Sequence, residues 1–136
     1  MYRHINKRLF DDKLPISQIT FYPIDGCYGE VYLESCKKFP LIVLNNEYLK
    51  LGIVHIIEIL IHEMVHVYCA IYGINEINFK NGYHNKNFKR VCEQIGMVCD
   101  KSENGFNVVT LPKDLYFHFT KFINDKELVQ LISLYN

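Results

Sequence analysis

The run LIHEMVHVY, residues 60–68, sets two histidines and a glutamate in an otherwise apolar stretch. His62 and His66 are four residues apart, which on a helix puts them about 40° apart around the axis and about 6 Å apart along it. Two imidazoles on one face can ligate one ion. Glu63 lies about 100° round from His62, close enough to reach a metal-bound water without becoming a ligand itself. That is the arrangement of a hydrolytic zinc site. Zinc lowers the pKa of its bound water towards about 7, and a neighbouring carboxylate can take the proton as hydroxide attacks a carbonyl. The competing reading is a core helix that merely contains these residues. Three ionisable groups on so apolar a helix are expensive to bury unless something compensates them, and a metal ion is the simplest compensation.

A catalytic zinc usually has three protein ligands and leaves its fourth position to water, so one more ligand is expected. His84, in NGYHNKNF, follows an NG turn and stands where a new helix begins. A loop of this length can fold that helix start back over the metal. Glu76 is the alternative third ligand, since zinc sites of the His2Glu type exist, but it lies close to the end of the metal helix and ranks below His84. His55 faces the same side as His62 from two turns away, roughly 10 Å, too far for the same ion. His4 and His118 have no positional argument in their favour. Glu58, four residues before His62, reads equally as a carboxylate that accepts a hydrogen bond from a ligand ring and so orients it, and as an exposed helix residue.

These residues need a frame. Tyr2, Ile5, Leu9 and Phe10 recur at helical spacing and stop in DDKLP, which predicts a short first helix. Three β-rich runs follow, ITFYPI (19–24), YGEVYLE (28–34) and LIVLN (41–45), separated by turn signals, and predict one antiparallel or mixed sheet. Residues 54–72 read as a helix of some five turns capped at Gly73. Phe88, Val91, Cys92 and Ile95 give a further helix over 85–95. Strands are expected again at MVCD and FNVVTL, followed by YFHFTKF, and a last helix over 125–135 carries Leu128, Leu131, Ile132 and Tyr135.

The chain has 136 residues, 49% hydrophobic and 22% charged, which fits one compact domain. Lys plus Arg and Asp plus Glu both number 15, so the strong positive excess of a general nucleic-acid binder is missing. Any DNA contact must be local, at clusters such as Lys80, Lys86, Lys89, Arg90 and Lys101, which otherwise read as solvated faces. The N-terminal segment breaks its apolar residues with charges every few positions, unlike a secretory or membrane-spanning segment, and a cytoplasmic protein with no membrane partner is expected. Five cysteines with no CxxC pair argue for reduced, mostly buried thiols.

With these motifs the chain resembles the SprT-like family of zinc metalloproteases. INKRLFDDKLP is similar to the family's opening helix and its LF-x-x-KLP phrase, GCYGEVYL and LIVLNNEYL to two of its strands, and HEMVH with NGYHNKNF to its metal helix and third-ligand segment. The resemblance is strongest over residues 1–100. It implies a single zincin-like α+β metalloprotease domain over 1–136, a small sheet packed on the active-site helix with flanking helices. It implies zinc on His62, His66 and His84, with Glu63 as general base. It also implies a protein or peptide substrate, in some members a protein bound or crosslinked to DNA. The sequence has no cysteine zinc ribbon of the kind many bacterial members carry, and no basic tail.

In the mechanism expected, a peptide docks in extended form along an edge strand around Gly29 to Tyr32. Glu63 activates the water and later protonates the leaving amine, with Tyr83 or His118 as oxyanion donor. The rival reading is a zinc-stabilised module that binds nucleic acid or protein without proteolysis. It would close the metal with a fourth protein ligand and have no use for Glu63.

Overall fold

The computed structural model describes residues 1–33 and 39–121 and is α+β, with a small sheet, a hairpin and several helices. The last helix expected from the sequence lies outside the described residues, as do Glu34 of the second strand and Cys36.

Helix α1, Tyr2–Phe10, buries Ile5, Leu9 and Phe10. It stops where Asp11 and Asp12 turn left-handed, at φ 51° and 58°, a conformation Asp tolerates better than most residues. The KLP phrase then folds back on the helix. Buried Asn6 donates from Nδ2 to the Leu14 carbonyl at 2.9 Å and accepts from its N–H at 3.1 Å, and the Tyr2 hydroxyl donates to the Pro15 carbonyl at 2.7 Å.

Strands β1 (Gln18–Tyr22), β2 (Gly29–Tyr32) and β3 (Leu41–Asn45) form a mixed sheet in the order β1-β3-β2. β3 pairs in parallel with β1 and antiparallel with β2, so β2 is an edge strand. A 3₁₀ turn, Asn46–Leu51, leads into α2, Ile53–Ile71.

α2 alone among the described helices is long and apolar enough to cross a bilayer. It is instead the core helix of the fold, with Ile57, Ile61, Met64, Val65 and Val67 fully buried and packed against both the sheet and the hairpin. It ends as the sequence predicts, at Gly73 with φ 66°. The N–H of Ile74 reaches back to the Cys69 carbonyl at 2.8 Å, satisfying a carbonyl that the helix itself leaves open.

Helix α3, Lys86–Gln94, is capped by Asn85, whose side chain accepts the Asn87 N–H at 2.8 Å. Strands β4 (Val98–Ser102) and β5 (Gly105–Thr110) form an antiparallel hairpin. YFHFTKF was not anticipated as a helix. Most of it lies in α4, Lys113–Thr120, which follows Pro112 and drives Leu115 and Phe119 into the core.

Candidate metal centre

The geometry of α2 brings His62 and His66 together, with their Nε2 atoms 3.2 Å apart. His84 arrives from the loop before α3, its Nε2 3.2 Å from that of His66. The three rings face one point, at pairwise centroid distances of 5.0 Å. Nitrogens bound tetrahedrally at zinc's usual 2.0–2.1 Å lie about 3.3 Å from each other, so this spacing fits such an ion. Among the described residues, no fourth His, Cys, Asp or Glu joins the trio.

Phe88, fully buried, lies beneath all three rings at centroid distances of 4.7 to 5.0 Å and forms an apolar floor. Helical spacing marked Phe88 as a core residue. That it touches every histidine follows from α3 beginning directly after His84.

Two of the rings, His62 and His84, are biased towards the neutral form that metal ligation requires. Burial pushes the pKa of His62 well below the ordinary histidine value, reinforced by His66 and His84 and opposed by the Asn107 carbonyl. Burial and His66 together lower His84 to about 4. The carbonyls of Asn104 and Gly82 oppose that shift, although neither makes a hydrogen bond of normal geometry with its buried Nδ1.

These shifts carry a sign for stability. Between pH 6.5 and 4 the unfolded chain protonates both rings and the folded chain does not, so the metal-free protein loses stability as pH falls through this window. Glu63 acts in the opposite direction. Burial, helped by Glu30 and opposed by His66, raises its carboxyl from 4.5 to about 7, so acidification relieves it. Two rings outweigh one carboxyl, and denaturant titrations of metal-free protein between pH 7 and 4.5 are expected to show falling stability, more steeply in Glu63→Gln than in the wild type.

Glu63 is 5% exposed and sits under the start of β2. A Cβ at Gly29 would lie 3.1 Å from Glu63 Oε1 and from the Val43 carbonyl, so glycine there lets the edge strand close over the carboxylate. Glu63 is outside the trio's ligand cluster, as a base rather than a ligand would be.

The two carboxylates weighed as supports of the site find other partners. Glu76 is not brought in as a third ligand. Its Oε1 stands 3.6 Å from His66 Nδ1, on the far side of the ring from the trio, and its carboxylate also accepts from the Cys69 thiol. The chain turns just past Gly73, so Glu76 approaches the ring from behind, where it can orient the imidazole. Glu76→Gln is expected to weaken zinc binding about tenfold in a chelator competition. Glu58 does not orient a ligand. Its two oxygens serve His55 Nδ1, at 3.4 Å, and the Leu111 N–H, at 2.8 Å, which ties the end of β5 to α2.

Of the two candidate oxyanion donors, Tyr83 lines an open depression with Asn75, Ile77, Phe79 and Lys80, and His118 lies on α4 with its ring against Phe119 at 5.3 Å.

Sequence reasoning missed the hairpin's part in the site. The His84 N–H donates to the Asn104 carbonyl at 3.0 Å, and the His84 carbonyl accepts the Phe106 N–H at 2.9 Å. Between these bonds Gly105, at φ 90°, leaves no space for a side chain: a Cβ would lie 2.2 Å from the His84 carbonyl oxygen. The Glu76 carbonyl holds the other side through the Asn85 N–H at 2.9 Å. The hairpin therefore clamps His84 and, through Asn107, also touches His62. The available signal was the Asn104-Gly105 pair between two strand-like runs.

A family model for SprT-like proteins matches residues 1–110. The chain belongs to the SprT-like family. The match runs beyond the first hundred residues to the end of β5, so this SprT-like region includes the hairpin that clamps His84. No curated protein and no solved structure matches the chain.

Proposed function

We propose that this SprT-like protein is a zinc-dependent peptidase of zincin-like fold, with zinc held by His62, His66 and His84. The observation that carries the reading is the convergence of three imidazoles on one point, with a buried carboxylate one residue from the first of them. When bound, zinc supplies Lewis acidity for a carbonyl and acidifies a water.

The chain's own residues do the rest. Glu63, buried and raised to about 7, accepts a proton near neutral pH and returns it to the leaving amine. β2 presents its free edge to an extended peptide, and backbone pairing there holds the scissile bond beside Glu63 without strict demands on sequence. Gly29 keeps that approach open. Phe88 excludes water from beneath the histidines.

Protein or peptide is the substrate class, and the family resemblance extends it to proteins bound or crosslinked to DNA. Addition of DNA to the cleavage assay tests that extension, with faster cleavage of a DNA-bound protein expected over the same protein free.

A zinc-stabilised binding module is less well supported, because three ligands and a buried base do not resemble a closed structural site. Zinc removal separates the two readings. A chelator is expected to stop cleavage of casein while circular dichroism stays folded, whereas unfolding on chelation would favour the structural role.

A further inference from the structure

Successive residues of a strand point to opposite faces. Gly29 faces Glu63, so Glu30 and Tyr32 share the other face of the edge strand, with Tyr28 just before it. The Glu30 carboxylate is fixed by two neutral donors, the Cys27 thiol at 3.5 Å and the Tyr32 hydroxyl. Burial and Glu30 itself push the Cys27 thiol up to about 11, so it stays a neutral donor at physiological pH. Among the described residues no Lys, Arg or His forms an ion pair with Glu30. Tyr28 and Tyr32 are 57% and 44% exposed, and the Tyr28 ring rests on Tyr48 at 4.4 Å. An oriented carboxylate without an ion-pair partner among the described residues thus stands between two exposed aromatic rings on the strand that a peptide would pair with.

We infer that Glu30 is a specificity-determining residue, selecting peptides that place a Lys or Arg side chain opposite it on β2. The inference rests on the peptidase reading above. In an antiparallel pair the directly opposed side chains have Cβ atoms about 4.5–5.5 Å apart, within reach of an ammonium or guanidinium. The carboxylate supplies the charge, and the tyrosine faces supply cation–π attraction. An acidic side chain at the same place is repelled by Glu30. Because this face points away from Glu63, the selected cation does not compete with the metal.

The test is a set of peptides identical except for Lys, Arg, Gln or Glu scanned through the positions around the scissile bond, with kcat/KM measured for zinc-loaded wild type, Glu30→Gln and Glu30→Lys. At one position the wild type is expected to prefer Lys or Arg over Gln by about tenfold, the size expected of a screened ion pair with an aromatic contact. Glu30→Gln, whose single oxygen still accepts from one of the two donors while its amide NH2 can donate to the Tyr32 hydroxyl oxygen, brings the ratio to within about twofold, and Glu30→Lys reverses it towards Glu. Comparing ratios within each variant cancels any general effect on the reaction. An unchanged Lys-to-Gln ratio in Glu30→Gln overturns the inference. The affinity of the same peptides for zinc-loaded Glu63→Gln, with and without Glu30→Gln, is measured by fluorescence anisotropy. A Lys preference in binding without cleavage by the wild type would count against the peptidase reading alone, while peptides bound without preference, or not bound at all, would overturn the role of Glu30.

Discussion

Glu63→Gln is expected to lower peptide hydrolysis by about 10²- to 10⁴-fold, the range spanned by a positioned general base, while zinc content and the fold are retained. The substitution keeps size and shape under Gly29, where an added Cβ would lie 3.1 Å from the carboxylate oxygen. The loss should fall on kcat, because Glu63 acts on the water and not on the docked peptide. The same change has an opposite effect on stability. In the metal-free protein the folded carboxyl titrates near 7 and the unfolded one near 4.5, so the unfolded state gives up its proton first as pH rises. The Glu63 contribution to the stability of the metal-free wild type therefore falls between those values as pH rises, by an amount on the order of 3 kcal/mol, against the larger gain from the two histidines. Gln has no such penalty, and metal-free Glu63→Gln should melt at a higher temperature than wild type at pH 8. A variant that is inactive and yet more stable without metal is the signature of a group kept for chemistry. Equal cleavage by both proteins would remove Glu63 from the mechanism.

Gly105→Ala is expected to weaken zinc binding by at least about 100-fold, as removal or displacement of a ligand should exceed the loss of a residue that only supports one. The added methyl meets backbone, not a flexible side chain: it would lie 2.2 Å from the His84 carbonyl oxygen and 2.7 Å from its nitrogen. Either the hairpin or His84 must move. Left-handed strain and the displaced bonds together are expected to cost about 2–4 kcal/mol of stability. Gly73→Ala supplies the control. That residue is also left-handed, at φ 66°, but a Cβ there meets nothing within 4 Å. It should carry only the conformational cost, about 1–2 kcal/mol, and leave zinc affinity unchanged. Zinc binding by Gly105→Ala as tight as that of wild type would show that the hairpin does not position His84.

The two cases illustrate which parts of the site could be seen in one dimension. His62, Glu63 and His66 were legible because a helix turns sequence spacing directly into angular spacing, and the apolar background made their polarity conspicuous. His84 could be sought because two ligands and a base leave a coordination set incomplete, and the structure brings it to the trio. The edge position of β2 was expected as a docking strand, and the sheet order places it at the edge. The parallel pairing of β1 with β3 was not legible, since strand alternation carries no direction. The partners of Glu76 and Glu58 were not legible, because they depend on where the chain turns after Gly73 and where β5 ends, both set by tertiary packing. The clamp of Gly105 on His84 is a backbone contact across 21 residues, and no periodicity announces such a contact. α4 follows the same logic: alternating aromatic and polar residues did not mark a helix until Leu115 and Phe119 had a core to face.

The most direct test of the account is the zinc stoichiometry and zinc-edge X-ray absorption spectrum of the zinc-loaded protein. One zinc per chain is predicted, with three imidazole nitrogens at about 2.0–2.1 Å and a single light atom from solvent completing the tetrahedron. A sulfur at about 2.3 Å, a fourth imidazole, or no stoichiometric zinc would contradict it.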